Sequence, residues 1–117
     1  MASAGSGRLG GYKASKSATG RLLDKDTAKA LAELMRNNVV NQYGDDNFPG
    51  LTVCAKSGTA EVGGDKEPNA VFAGFCADED YPLAFMVVVE DAGSGAKTCV
   101  PIISEVLAAC KDLMDDE

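Results

Sequence analysis

The side chains best suited to chemistry lie together at residues 56–61, which read Lys-Ser-Gly-Thr-Ala-Glu. The run continues an apolar stretch that begins at residue 51, a pattern that predicts a β-strand. A lysine there is most simply a solvent-facing side chain on an edge strand. The functional interpretation is an anion cradle, built from the Lys56 ammonium and two hydroxyls, with a glycine that lets a ligand lie against the strand. The strand edge can also donate an N–H to a developing oxyanion.

The absence of histidine removes several kinds of catalytic site. None of the 117 residues is His, which excludes a Ser-His-Asp triad, a Cys-His pair and every His-ligated metal site. The four cysteines form no C-x-x-C pair, so we expect neither a zinc site nor any other cofactor. The preferred interpretation is that Cys54, Cys76 and Cys110 are small buried apolar residues. Whether these three or Cys99 form disulfides stays open, since four cysteines allow several pairings.

Length, composition and charge indicate one ordinary globular domain. Of the 117 residues, 45% are hydrophobic and 25% are charged. The net charge of −7 argues against a nucleic-acid surface, which needs clustered basic side chains. The longest apolar run, residues 83–89, is far shorter than the ~20 residues that span a bilayer. We therefore expect no nucleic-acid partner and no targeting segment in this sequence.

The chain divides into a lead-in and a domain part. Residues 1–20 are rich in glycine and serine and poor in large apolar groups, so we expect a flexible or artificially added segment there. Residues 21–117 carry the periodic patterns of secondary structure and form the predicted domain part.

A helix is predicted within residues 22–35, beginning after an aspartate cap at 24 or 26. Its stripe of Leu31, Leu34 and Met35 is predicted to face the core. The asparagines at 37 and 38 are expected to end the helix, and a polar loop is expected at residues 43–50.

Three strands follow, at residues 51–62, 70–77 and 83–89, and their short connections favour antiparallel pairing. The third strand is apolar throughout, so it is predicted to be buried on both faces. A last helix is predicted at residues 98–114, with Pro101 in its first turn. The predicted fold is α+β, a three-stranded antiparallel sheet flanked by an N-terminal and a C-terminal helix. Because two helices cover only one face of such a sheet, the chain is expected to be a fragment of a larger domain.

Several of these features together resemble one family. Residues 56–61 resemble the K-[TS]-G motif of penicillin-binding transpeptidases and serine β-lactamases. In the transpeptidases this strand is followed by a strand with an aromatic-x-Gly-Phe core, here residues 72–75. A strand ending in Val-Glu, a Gly-Ser-Gly loop and a final helix come next, as at residues 89–90, 93–95 and 101–113 here. The resemblance covers residues 22–113.

The resemblance implies the C-terminal part of the transpeptidase domain of a class B-like penicillin-binding protein, with one wall of the active site on this chain. Lys56 would tune the electrostatics and proton movement, and the Ser57 hydroxyl would bind the terminal carboxylate of the substrate. Gly58 would leave room for the ligand. The backbone N–H of Thr59 would supply half of the oxyanion hole.

The resemblance also implies partners and a location for the intact protein. The substrates would be D-Ala-D-Ala-ended peptidoglycan stem peptides, with β-lactams as mimics, and the rest of the transpeptidase domain would pack on this chain. The location would be the extracytoplasmic face of the bacterial cell membrane. The family's S-x-x-K and S-x-N motifs should precede Lys56, and neither does, so this chain alone is expected to be inactive. Ser94 and Lys97 fit S-x-x-K by letter, but they stand in the wrong order and place.

Two alternatives stay open. Residues 93–98, Gly-Ser-Gly-Ala-Lys-Thr, lie between a strand and a helix as in a phosphate-binding P-loop, although alanine stands where that motif needs a glycine before the lysine. The other alternative is a non-catalytic α+β module that binds partners through its sheet or forms a homo-oligomer.

Overall fold

The computed structural model describes residues 15–116, so most of the predicted lead-in lies outside the described residues. Residues 15–20 are exposed and form neither helix nor strand. The helices are α1 (Lys25–Asn38) and α2 (Gly95–Asp115), and the strands are β1 (Val53–Ala60), β2 (Asn69–Cys76) and β3 (Ala84–Val89). The strands form one antiparallel sheet in the order β1-β2-β3. The predicted α+β fold is therefore confirmed.

One face of the sheet carries the core, which lies under α2. Phe72 at its centre is fully buried and contacts two aromatic rings, Tyr43 edge-on at 5.1 Å and Phe85 stacked at 5.8 Å between centroids. Helix α2 contributes the buried side chains of four residues to this core, namely Cys99, Val100, Ile103 and Leu107.

The opposite, open face of the sheet is covered at Cys54 on β1 but exposed on β3. On β3 the burial alternates, and Met86 and Val88 on the open face are 67% and 51% exposed. The prediction that this strand is buried on both faces is wrong for this chain, because α2 packs only on the core face. A run of apolar residues does not distinguish a strand with two covered faces from one whose second face has no cover.

Helix α1 begins at Lys25, three residues into the predicted range, with Asp24 as its cap, one of the two predicted aspartates. The Asp24 side chain accepts a hydrogen bond from the Thr27 N–H at 2.8 Å, a helix cap that holds the pKa of Asp24 below its usual value. The α-helix ends at Asn38, as the two asparagines predict, but a π-helical turn, Val39–Tyr43, follows it directly. Asn38 does not compete for its own backbone, because its side chain donates to the Ala55 carbonyl on β1.

The apolar stripe of α1 does not face the core. Leu31 and Leu34 are 46% and 65% exposed, Met35 is half-buried, and no residue of α1 is fully buried. The prediction of a core-facing stripe is therefore wrong for this chain. The π-helical turn after α1 makes the core contacts instead, through Val39 and Tyr43.

Helix α2 begins at Gly95 rather than at residue 98, with Ser94 as its N-cap. Pro101 consequently lies in the second turn, not in the predicted first turn, and its missing N–H leaves the Lys97 carbonyl without a helical partner. A Cβ on Gly95 would lie 2.2 Å from the Gly58 carbonyl oxygen and 2.9 Å from that of Val71. Only glycine therefore lets α2 start directly on β1 and β2.

Candidate functional site

The four predicted site residues lie together in the second half of β1, which is an edge strand. Lys56 pairs with Ala73, and Ser57 pairs with Phe72. Because side chains alternate along a strand, Lys56 and Gly58 point to the open face while Ser57 and Thr59 point to the core face. Lys56 and Thr59 are exposed, and Ser57 and Gly58 are half-buried.

Side chains from the end of α1 close the first part of the β1 edge. Arg36 donates to the Val53 carbonyl at 2.8 Å, Asn38 donates to the Ala55 carbonyl at 3.1 Å, and the Ser57 N–H donates to the Tyr43 hydroxyl at 2.8 Å. Arg36 is itself held by an ion pair with Asp45 at 2.8 Å.

The directions of the backbone groups along β1 show where its edge is open. Alternate residues of an antiparallel strand direct both backbone groups to the same side. The bonds at Val53, Ala55 and Ser57 therefore mean that the N–H and C=O of Thr59 also face the free edge. Thr59 is the first of these residues that no side chain of the α1 end covers, and its N–H can donate to an approaching oxygen.

The Ser57 hydroxyl has a defined partner. The Tyr43 hydroxyl donates to Ser57 Oγ at 2.9 Å while it accepts from the Ser57 N–H. Tyr43 is only 9% exposed, so its ring is part of the core and its position is fixed. The sequence motif gives no signal for Tyr43, which was expected in a polar loop. Its spacing of four residues from the buried Val39 is the one signal that could have placed it on a helix face.

The Lys56 side chain lies along the edge. Its Nζ donates to the Ser57 carbonyl. The ion pairs within residues 15–116 are Arg36–Asp45 and Lys111–Asp115, so no described carboxylate neutralises Lys56. The ammonium charge is therefore available to an anion that binds beside Ser57 and Thr59.

Gly58 has room for a side chain. A Cβ there would meet only the Val71 Cβ at 3.8 Å, an ordinary contact. Packing within residues 15–116 therefore does not require glycine at this position, in contrast to Gly95.

The loop before α2 has a structural explanation. Ser94 accepts a hydrogen bond from the Lys97 N–H at 3.4 Å, which makes it a helix cap, and Gly95 is buried against the sheet. These contacts account for the Gly-Ser-Gly sequence as a means of packing α2 on the sheet beside Gly58.

The four cysteines are free thiols. Cys54 and Cys76 are buried as predicted, and Cys99 is fully buried. The prediction that Cys110 is buried is wrong, since this residue on the outer part of α2 is only half-buried. Burial raises the pKa of the Cys76 thiol to about 11. Among residues 15–116 no three His, Cys, Asp or Glu side chains cluster as metal ligands. No helix in the described part of the chain is long and apolar enough to cross a membrane.

The edge strand of the antiparallel sheet thus presents Lys-Ser-Gly-Thr beside the start of α2. The chain matches the family described as penicillin binding protein transpeptidase domain over residues 3–108. It therefore belongs to the penicillin-binding protein transpeptidase family, as the motifs predict.

A solved structure supports the same assignment. The chain is similar to PBPA from Mycobacterium tuberculosis, with 28% sequence identity and a TM-score of 0.58 over 74% of this chain. The chain spans about a fifth of the length of that protein, since the match covers 21% of it. The comparison with curated proteins gives no match.

Proposed function

We propose that this chain is the C-terminal part of a D-Ala-D-Ala transpeptidase domain and forms the K-[ST]-G wall of its active site. The observation that carries the proposal is the open N–H of Thr59 on an edge strand that also presents Lys56 and Ser57. Family membership supports the reaction class, and the M. tuberculosis PBPA likeness supports the fold. The intact protein would act at the extracytoplasmic face of a bacterial cell membrane.

In the proposed reaction, a serine hydroxyl from an S-x-x-K motif elsewhere in the domain attacks the carbonyl carbon between the two D-Ala residues. The carbonyl oxygen becomes an oxyanion and accepts a hydrogen bond from the Thr59 N–H. The C–N bond breaks, D-Ala leaves with the serine proton, and a serine ester remains. An acceptor amine then attacks the ester and releases the serine.

The other three residues bind the substrate. The Ser57 hydroxyl donates to the terminal carboxylate of the stem peptide, and the Lys56 ammonium supplies positive charge beside it. Gly58 lets the ligand backbone lie close to β1. With no S-x-x-K or S-x-N before Lys56, this chain on its own is expected not to form the serine ester.

The test is Ser57→Ala in the full-length protein that contains this chain. Loss of one charge-assisted hydrogen bond, about 1.5–3 kcal/mol, predicts acylation by benzylpenicillin that is about 10- to 150-fold slower. The matched control is Ser104→Ala, which removes a serine hydroxyl from α2, where it donates to the Asn47 carbonyl. Acylation at the unmodified rate in Ser57→Ala would contradict the proposed role of Ser57.

One observation favours a second candidate function, a non-catalytic module that binds through its sheet. The open face exposes Met86 and Val88, and such a surface needs a cover. In the transpeptidase proposal the rest of the domain is that cover, whereas an isolated chain would self-associate. Sedimentation of the isolated chain tests self-association, and a monomer that unfolds cooperatively would contradict it.

A further inference from the structure

The Tyr43 hydroxyl makes two hydrogen bonds to a single residue of β1. It accepts from the Ser57 N–H at 2.8 Å and donates to Ser57 Oγ at 2.9 Å. The tyrosine ring packs edge-on against the buried Phe72, with 5.1 Å between ring centroids. The phenol oxygen is therefore held in place from the core and not from the solvent.

The hydrogen-bonding capacity of the two hydroxyls decides what Ser57 can do. A phenol has one proton, and Tyr43 gives it to Ser57 Oγ. One acceptor position of the serine oxygen is then filled, while the serine proton remains free to be donated elsewhere. Each bond in the chain from the Ser57 N–H through the phenol to Ser57 Oγ polarises the next, which strengthens the serine hydroxyl as a donor.

We propose that Tyr43 is a positioning residue for substrate binding, which fixes the Ser57 hydroxyl as a hydrogen-bond donor to the carboxylate of the stem peptide or β-lactam. The inference rests on the proposed function of Ser57 and names the group that orients it. Tyr43 does not touch the substrate and acts through Ser57.

The comparison with Arg36 and Asn38 separates this role from simple closure of the strand edge. Those two side chains each bond one backbone carbonyl of β1 and no side chain of β1. Tyr43 also bonds a side chain, and that side chain belongs to the predicted substrate-binding set. A group that only satisfied the Ser57 N–H would need no second bond to Oγ.

The experiment is a double-mutant cycle in the full-length protein, with Tyr43→Phe, Ser57→Ala and the double variant. Phenylalanine keeps the ring against Phe72 and removes only the hydroxyl. Acylation is measured with benzylpenicillin and with its methyl ester, in which the carboxylate is masked. Tyr81→Phe is the matched control, because it removes a hydroxyl that donates to Asp115 near the β2–β3 turn.

The expected result is a slower acylation that depends on a free carboxylate in the ligand. Tyr43→Phe should slow acylation by benzylpenicillin about 2- to 12-fold, the equivalent of one neutral hydrogen bond, and should slow acylation by the ester less. In the Ser57→Ala background the same change should have no further effect on the acid-to-ester ratio. Tyr81→Phe should leave that ratio unchanged.

The outcomes separate this inference from the proposed function. A normal rate in Ser57→Ala overturns the role of Ser57 and with it the role of Tyr43. A slow Ser57→Ala beside a normal Tyr43→Phe overturns the positioning role alone. Equal slowing of the acid and the ester by Tyr43→Phe, or an undiminished effect in the Ser57→Ala background, shows a merely structural role and also overturns it.

A second variant covers the case in which Tyr43→Phe does not fold. Tyr43→3-fluorotyrosine keeps both hydrogen bonds and makes the phenol a stronger donor. It should therefore raise the acid-to-ester ratio. An unchanged ratio in a folded protein overturns the inference.

Discussion

Gly58 and Gly95 are neighbours in space with opposite reasons to be glycine, and this contrast makes a sharp prediction for Gly58→Ala. A Cβ at Gly58 meets only Val71 at 3.8 Å, whereas a Cβ at Gly95 lies 2.2 Å from the Gly58 carbonyl oxygen. If a substrate lies against β1, alanine at residue 58 should disturb binding and leave folding intact.

Gly58→Ala should raise the stability of the protein and lower its rate of acylation. Alanine restricts the unfolded chain, so the free energy of unfolding should rise by about 0.4–1 kcal/mol. A methyl group in the ligand's space should cost about 1–3 kcal/mol, as overpacking does in a core, and slow acylation about 5- to 150-fold.

The assay pairs urea denaturation with acylation by benzylpenicillin in the full-length protein. Gly95→Ala is the matched control, and it should lose stability because backbone atoms of β1 and β2 must move. Acylation of Gly58→Ala at the unmodified rate would refute the idea that a ligand lies over residue 58. A loss of stability as large as that of Gly95→Ala would show that packing, not binding, requires this glycine.

Three further predictions concern the edge, the open face and a buried thiol. Asn38→Ala removes the bond to the Ala55 carbonyl and should lower the free energy of unfolding by about 0.5–1.5 kcal/mol in urea denaturation, and an unchanged midpoint would contradict this closure of the edge. Met86→Ala should lower the free energy of unfolding of the full-length protein by about 2 kcal/mol or more if the rest of the domain covers the open face. If that face stays exposed, the free energy of unfolding should fall by less than about 0.5 kcal/mol. Burial raises the pKa of the folded Cys76 thiol to about 11, so this thiol keeps its proton above pH 9, where the unfolded thiol loses it. The free energy of unfolding should therefore fall as the pH rises from 9 to 11, by at most about 1.4 kcal/mol per pH unit from this thiol. Cys76→Ala should reduce that slope, and an unchanged slope would exclude Cys76 as its source.

The sequence predicts the elements well and their covered faces poorly, for a physical reason. Apolar periodicity reports which side chains need burial, not which part of a protein buries them. Leu34 on α1 and Met86 on β3 both follow the expected pattern, yet they are 65% and 67% exposed. In the proposed transpeptidase domain, the rest of the domain would cover these two exposed sites.

In the candidate site, too, the sequence predicts the residues that are adjacent in the chain and misses the one that is distant. Lys56, Ser57, Gly58 and Thr59 are adjacent in sequence, so a motif finds them and a strand prediction places them on an edge. Tyr43 lies 14 residues before Ser57 and reaches it only because α1 continues as a π-helical turn. No local pattern of residues predicts that turn, since the two asparagines before it are typical of a helix end followed by a loop.

The π-helical turn also explains why the open part of the β1 edge begins where it does. Asn38 directly precedes the π-helical turn and Tyr43 ends it, and their side chains bond β1 at Ala55 and Ser57. Had the chain turned away at Asn38, the Ser57 N–H would have been open, and a ligand could pair with the edge two residues earlier. Closure up to Ser57 leaves the Thr59 N–H as the first free donor beside the Lys56 ammonium. In the proposed function, a ligand carbonyl oxygen at that donor would place the ligand carboxylate toward Ser57. The closure of the edge by Asn38 and Tyr43 would then set the register in which the substrate binds to β1.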